Sequence, residues 1–133
     1  MKAYIAVSFN KRQSVNDVID IITTALKQFS VESFVFADHY HFAPDEETQM
    51  MQQAMAAIDN SDIVIAETSH KAIGIGVEVG YAKAKQVPVI YMRQKNAPHS
   101  TTVAGISDFH VIYADANDLQ QQLHTLMVSV LKR

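Results

Sequence analysis

The residue best placed to do chemistry is Glu78, in the run Gly74-Ile75-Gly76-Val77-Glu78-Val79-Gly80-Tyr81-Ala82. Just upstream, Asp62-Ile63-Val64-Ile65-Ala66-Glu67 is a β-branched run with an acid at each end, the pattern of a fully buried strand. The Ala/Val/Lys pattern from Gly76 to Gln86 predicts a helix, and residues 68 to 73 a short polar loop closed by Gly74 and Gly76. Glycines let backbone approach a ligand, and a helix N-terminus offers unpaired N–H groups and positive potential, so the junction suits an anion or nucleotide. A carboxylate in the first turn would be held ionised by the helix dipole and aimed at that ligand. The bland alternative is glycines that only permit packing, Gly80 letting the helix approach the sheet, and a glutamate that only complements the dipole.

Tyr4 is the natural partner for Glu78. An aromatic in a first strand is usually core, but a buried phenol needs a hydrogen-bond partner, and bonding to Glu78 would satisfy both groups. His39 and His41 are separated by one residue and on extended backbone would face the same side. No further ligand cluster has metal-like spacing, so ligand contacts or solvent exposure are expected there, with no metal and no cofactor. The chain has no cysteine, and no serine lies in a nucleophile-elbow pattern, which removes support for thiol or serine hydrolase chemistry. Lys11, Arg12, Lys71 and Arg93 can be phosphate ligands or solvated surface charge, the commoner case.

The elements that must position these residues follow in order. Lys2 to Ser8 predicts a first strand. Ser14 with Asp17 resembles a capping box for an amphipathic helix reaching about Phe29, and Glu32 to Ala37 predicts a second strand. A loop over Asp38-His39-Tyr40-His41-Phe42 leads to Pro44 and the acids Asp45, Glu46 and Glu47, the start of a helix running to about Asn60. Its methionines Met50, Met51 and Met55 read as flexible core filler. After the central strand and helix, Val89 to Met92 predicts a fourth strand, Arg93 to Ser107 a polar, flexible loop, and Phe109 to Tyr113 a fifth strand. Asp115 with Asp118 then caps a last helix carrying Leu119, Leu123, Leu126, Met127 and Leu131.

This alternation predicts an α/β, flavodoxin-like (Rossmann-like) three-layer sandwich: five parallel strands in order 2-1-3-4-5. Ligands of such sheets sit at the carboxyl ends of the strands where strand order reverses, here between strands one and three. At 133 residues, with no repeat or linker, the expectation is a single domain over 1–133. A formal charge of −3 with scattered basic residues argues against nucleic acid as a partner. No apolar run approaches 18 residues and no leader-like segment precedes the first strand, so a soluble cytoplasmic protein with no membrane partner is expected.

The segment from Asp62 to Ala82, followed by Pro88-Val89-Ile90, resembles the nucleoside 2-deoxyribosyltransferase superfamily, and most closely its 2′-deoxynucleoside 5′-phosphate N-hydrolase branch. Tyr4, Ser8, His39 and the closing strand-helix unit fall in compatible order. The resemblance implies an N-glycosidase or deoxyribosyltransferase-like enzyme acting on a nucleoside or nucleotide, with Glu78 attacking the anomeric carbon and Tyr4 orienting it. It also implies that Ser8 and the Gly74 and Gly76 backbone hold sugar or phosphate, and that His39 lies near the base. A homodimer or larger homo-oligomer is implied too, with Ser100, Thr101 or Thr102 reaching a neighbour's site. Hydrolysis is expected over transfer, since the Gly-x-Gly-x-Glu form looks like the N-hydrolase branch. Two positions depart from the pattern: Ala54 stands where the family carries an aspartate, and Ala72 where the N-hydrolases carry a phosphate-binding serine. Those departures favour the main alternative, a non-catalytic nucleotide-binding or sensing module. TIR-like NAD cleavage is a further one, with no loop signature beyond Phe36-Ala37-Asp38.

Overall fold

A computed structural model of the chain describes residues 1–39 and 41–132. Tyr40, in the middle of the predicted histidine-rich loop, lies outside the described residues. Five strands, β1 (Lys2–Ala6), β2 (Glu32–Val35), β3 (Ile63–Glu67), β4 (Val89–Gln94) and β5 (Phe109–Tyr113), form one sheet in the order β2-β1-β3-β4-β5. Every pairing is parallel, with Tyr4 opposite Phe34 on one side and Val64 on the other. The helices are α1 (Asn16–Gln28), α2 (Glu47–Asp59), α3 (Ile73–Ala84), α4 (Thr101–Ile106) and α5 (Ala116–Leu131).

Strand alternation sends neighbouring side chains to opposite faces and so builds two cores. Ile5, Ile65 and Met92 face α1 and α5, meeting Ile22, Leu26 and Leu123. Tyr4, Ala66 and Tyr91 face the other way, onto Ile58 of α2, Val79 of α3 and Val103 of α4. The three central strands are covered on both sides, which is why they read as continuous apolar runs. The edge strand β5 keeps Val111 and Tyr113 buried while His110 and Ile112 face solvent, giving its alternation.

Several local expectations are corrected. The stretch after β1 is a 3-10 turn, Phe9–Val15, and α1 begins at Asn16 with no side-chain cap. Ser14 does not cap it; its hydroxyl donates to the Lys11 carbonyl at 2.7 Å, a local backbone bond that competes with capping. Pro44 opens a short 3-10 turn, Pro44–Glu46, whose Glu46 carboxylate accepts from the Ala43 N–H at 2.8 Å before α2 starts. The predicted loop from Arg93 to Ser107 contains the end of β4 and the helix α4. It is pinned rather than loose. One Arg93 nitrogen donates to the carbonyls of Gln94, Lys95 and Ala97, the Tyr91 hydroxyl accepts from the Ser100 N–H at 2.9 Å, and Val103 and Ala104 are buried. The last helix does carry its predicted cap, with Asp115 accepting from the Asp118 N–H and Asp118 from the Ala114 N–H, each at 2.8 Å.

Helix α3 starts at Ile73, three residues earlier than predicted, because Gly74 and Gly76 both take negative φ and wind into its first turns. Glu78 therefore lies in the second turn, where the helix dipole contributes less than the first-turn reading assumed. Gly80 is not needed for close approach to the sheet, since a Cβ there would meet nothing within 4 Å.

Candidate active site

Strand order reverses between β1 and β3, and the loops leaving their carboxyl ends meet the start of α3. Tyr4 is fully buried on the α2/α3 face of β1, and its hydroxyl donates a hydrogen bond to Oε2 of Glu78. The phenol ring is held from the side by Phe34 and Phe36, with centroids 6.0 and 6.1 Å away. Sheet and helix thus fix the two groups independently.

Burial governs the electrostatics of this pair. It pushes the Glu78 carboxyl up to about 7, and the hydrogen bond from Tyr4 opposes part of that rise. Burial also raises the Tyr4 hydroxyl far above its ordinary value, with the Glu78 charge adding to the effect, so the phenol stays a neutral donor. A carboxylate poised near neutrality beside a fixed donor can act as a nucleophile or base at physiological pH.

Glu78 opens onto a small depression of about 140 Å³ whose walls include Phe9, Phe36, Met50 and Ile75. A wider cleft of about 500 Å³ lies on the other side of the α3 N-terminus, walled by Thr68, Lys71, His99 and Thr102 among others. Size alone would put a ligand in the wider cleft, yet Glu78 is not in its wall. The two share Ala72 and Ile75. A ligand of nucleoside size needs more room than the smaller depression offers. The arrangement suits a molecule with one end at Glu78 and its remainder extending past Ala72.

The other residues singled out from sequence are distributed around this pair. Gly74 passes over the carboxylate: the Cβ it lacks would lie 3.9 Å from Glu78 Oε1. Gly76, Ser100, Thr101 and Thr102 line the wider cleft within their own chain. Ser8 is buried at the mouth of the β1 loop, between Val7 and Phe9, which line the small depression. His39 does not reach either cavity; it ends a 3-10 turn, Phe36–His39, and its ring stacks on Phe34 at 4.6 Å. Because that turn is not extended backbone, the same-side argument for His39 and His41 does not apply. Of the four candidate phosphate ligands, Arg12 is engaged by Asp38 at 2.7 and 3.1 Å and Arg93 by backbone carbonyls, whereas Lys71 lines the wider cleft.

Sequence reasoning missed the apolar wall. Met50, read as core filler, lines the Glu78 depression, and Phe9 and Phe36 join it from the loops after β1 and β2. The available signal was position: Phe36 directly follows β2 and Phe9 lies three residues past β1, both on the side where ligands bind. Ala54, one turn beyond Met50 on α2, is buried. Asp59 lies at the far end of that helix and accepts from the Tyr81 hydroxyl at 2.8 Å.

Tyr4→Phe tests the pair. Losing the donor raises the Glu78 pKa further, so the acidic limb of kcat/KM moves to higher pH and activity at pH 7 falls about tenfold, with recovery on going alkaline. A pH-rate profile of the two proteins reads this.

A family model described as nucleoside 2-deoxyribosyltransferase matches residues 3–127. The 5-hydroxymethyl-dUMP N-hydrolase of Branchiostoma floridae is 31% identical over 71 residues, which is 52% of this chain and 68% of that protein. Two solved structures share the fold. A CMP N-glycosidase from Clostridium botulinum superposes with a TM-score of 0.67 at 21% identity, covering 94% of this chain and 99% of that one. The 2-deoxyribosyltransferase of Bacillus psychrosaccharolyticus gives a TM-score of 0.66 at 16% identity, covering 92% and 96% respectively.

Proposed function

The chain belongs to the nucleoside 2-deoxyribosyltransferase family, and we propose that it cleaves the N-glycosidic bond of a nucleoside or nucleotide, with Glu78 as nucleophile. The observation that carries this reading is the Tyr4 hydroxyl bonded to the Glu78 carboxylate at the reversal point of the sheet. One Glu78 oxygen attacks the anomeric carbon as the bond to the base breaks, the bonding electrons leaving with the base. The sugar then forms an ester with Glu78. Positive charge develops on the sugar next to the carboxylate in the transition state, so the ionised acid stabilises what it attacks. The departed base takes a proton from solvent. Water then attacks the same carbon, the ester bond breaks with its electrons returning to the Glu78 carboxylate, and the water's proton passes to solvent as the sugar hydroxyl forms. Tyr4 holds the carboxylate in register throughout. The apolar wall of Phe9, Phe36 and Met50 keeps bulk water from the ester, and the wider cleft takes the part of the substrate remote from the bond.

Hydrolysis is preferred over transfer on the Gly74-x-Gly76-x-Glu78 form, and a nucleotide substrate has support in the relatives' names: a hydroxymethyl-dUMP hydrolase and a CMP glycosidase. The same reading makes the protein a cytoplasmic homo-oligomer. Ile73 and Val77 support the assembly, being 90% and 47% exposed one turn apart on α3 beside the wider cleft. Among the described residues no helix is long and apolar enough to cross a membrane.

A second reading, a nucleotide-binding module without turnover, draws on Ala54 and Ala72. Ala54 is buried and supplies no proton for the departing base, and Ala72 has no hydroxyl for a phosphate. One experiment separates the two. Base release is measured from ribo- and deoxyribonucleosides, their 5′-monophosphates and NAD⁺, with wild type and Glu78→Ala. Release that depends on Glu78 supports the enzyme; tight binding of one compound without release supports the module.

A further inference from the structure

A second buried carboxylate lies two residues before the β3–α3 loop reaches Ser69, on the face of the sheet away from Glu78. Glu67 is 2% exposed, and because strands alternate it points with Ile65 toward the α1/α5 side. Both of its oxygens are used. Oε1 accepts from the Ser69 N–H at 2.6 Å, and Oε2 accepts from the hydroxyl of Tyr113, the buried last residue of β5, also at 2.6 Å. The Ser69 hydroxyl in turn accepts from the Gln94 N–H at 2.8 Å, and Thr68 donates to the Met92 carbonyl through its N–H at 2.7 Å and its hydroxyl at 3.0 Å. The carboxyl ends of β3, β4 and β5 are thereby tied around one carboxylate.

We propose that Glu67 and Tyr113 are positioning residues that set the height of the 68–72 loop, and through it the affinity of the wider cleft for the part of the substrate remote from the bond being broken. The loop supplies Thr68, Lys71 and Ala72 to that cleft. Ala72 is extended, with φ −152° and ψ 138°, and hands the chain directly to the first turn of α3. Nothing in the latch touches Tyr4 or Glu78, which lie across the sheet, so it acts on binding rather than on bond cleavage. Burial and the Glu67 charge both raise the Tyr113 hydroxyl, keeping it a neutral donor. Removing that donor leaves a buried carboxylate oxygen without its partner, and the carboxylate then lets go of Ser69 to find water.

The kinetic part of this inference rests on the N-glycosidase reading; the loop part does not. The experiment compares wild type, Tyr113→Phe and Glu67→Gln by amide hydrogen exchange and by steady-state kinetics on dUMP. Tyr113→Phe is expected to speed exchange at residues 69–72 and leave the interior of α3 unchanged. Its KM should rise about three- to tenfold, the equivalent of one lost hydrogen bond, with kcat within about twofold of wild type. Glu67→Gln is expected to leave both at wild-type values, because its amide oxygen accepts from Ser69 and its N–H₂ donates to the Tyr113 oxygen. If Tyr113→Phe does not fold, Ser69→Ala, which cuts the tie to Gln94, carries the same expectation. A loss of thermal stability with exchange and KM unchanged makes the pair purely structural and overturns the proposal. So does a fall in kcat at constant KM. Should wild type not turn over dUMP, the choice of substrate fails, and unchanged exchange at 69–72 in Tyr113→Phe still refutes the latch.

Discussion

Glu78→Gln should lower turnover by on the order of 10³-fold or more while leaving ligand affinity within a few-fold of wild type. The substitution keeps the volume and one carbonyl oxygen, so Tyr4 can still donate to it, and Phe34 and Phe36 still hold the ring. What it removes is the charge. An amide oxygen is a poor nucleophile and does not offset the positive charge that grows on the sugar carbon, so the loss falls on kcat rather than on KM. A loss of binding with turnover per bound molecule unchanged would make Glu78 a contact and not a participant. Measurement of kcat by base release, and of Kd by calorimetry with the same compound, separates the two.

The same substitution should stabilise the folded protein above neutral pH, and that is the second large effect. Glu78 has its carboxyl raised from 4.5 to about 7 on folding, with burial as the first cause. Its ionised form is therefore disfavoured in the folded state relative to the unfolded one. Below pH 4.5 both states are protonated and Glu78 costs nothing. Between 4.5 and about 7 the unfolded chain ionises first, and stability is lost as pH rises through that window. Above it the accumulated cost is about 3 kcal/mol at most, at 1.36 kcal/mol per unit. Glu78→Gln escapes this cost. Its gain in unfolding free energy should be near zero at pH 4 and grow to about 2 to 3 kcal/mol at pH 8. Urea unfolding of both proteins across that range reads the difference. A pH-independent gain would mean the carboxyl is not perturbed by its site. A site that gains stability when its reactive charge is removed is one where stability has been given up for function.

Much of the fold could be read because the two core faces demand apolar residues at regular spacing. Five strands and the helices α1 and α5 announce themselves that way, α2 by Pro44 and the acids that follow it, and strands buried on both sides imply a parallel sheet. What escaped detection was governed by local backbone chemistry. Gly74 and Gly76 are poor helix formers, so the beginning of α3 looked like loop; the chain winds them in regardless. Helix α4 is six residues long and lies among polar residues, too short for a periodicity to show. Ser14 had the right spacing for a cap but found a nearer carbonyl.

The candidate site divides along the same line. Tyr4 and Glu78 were expected to meet because each needs what the other offers, and their contact spans 74 positions of chain. The apolar wall was not expected, because Phe9, Phe36 and Met50 look individually like core or stray surface. Only the convergence of the β1 and β2 loops with α2 makes them one surface. The Glu67 and Tyr113 pair was invisible for a similar reason. An acid at the end of a strand reads as exposed, and only the register of β4 and β5 brings the phenol to it.

If Glu78 is the nucleophile it forms a bond to the sugar, and that bond can be caught. Wild type is incubated with a 2′-deoxy-2′-fluoro nucleoside 5′-monophosphate, whose fluorine slows both steps by destabilising the oxocarbenium-like transition state. Acid quench, digestion and peptide mass mapping follow. An added sugar-phosphate mass is expected on the peptide that carries Glu78, and none in Glu78→Gln. Release of base from the natural substrate without any adduct on that peptide, or with the adduct on another residue, would contradict it.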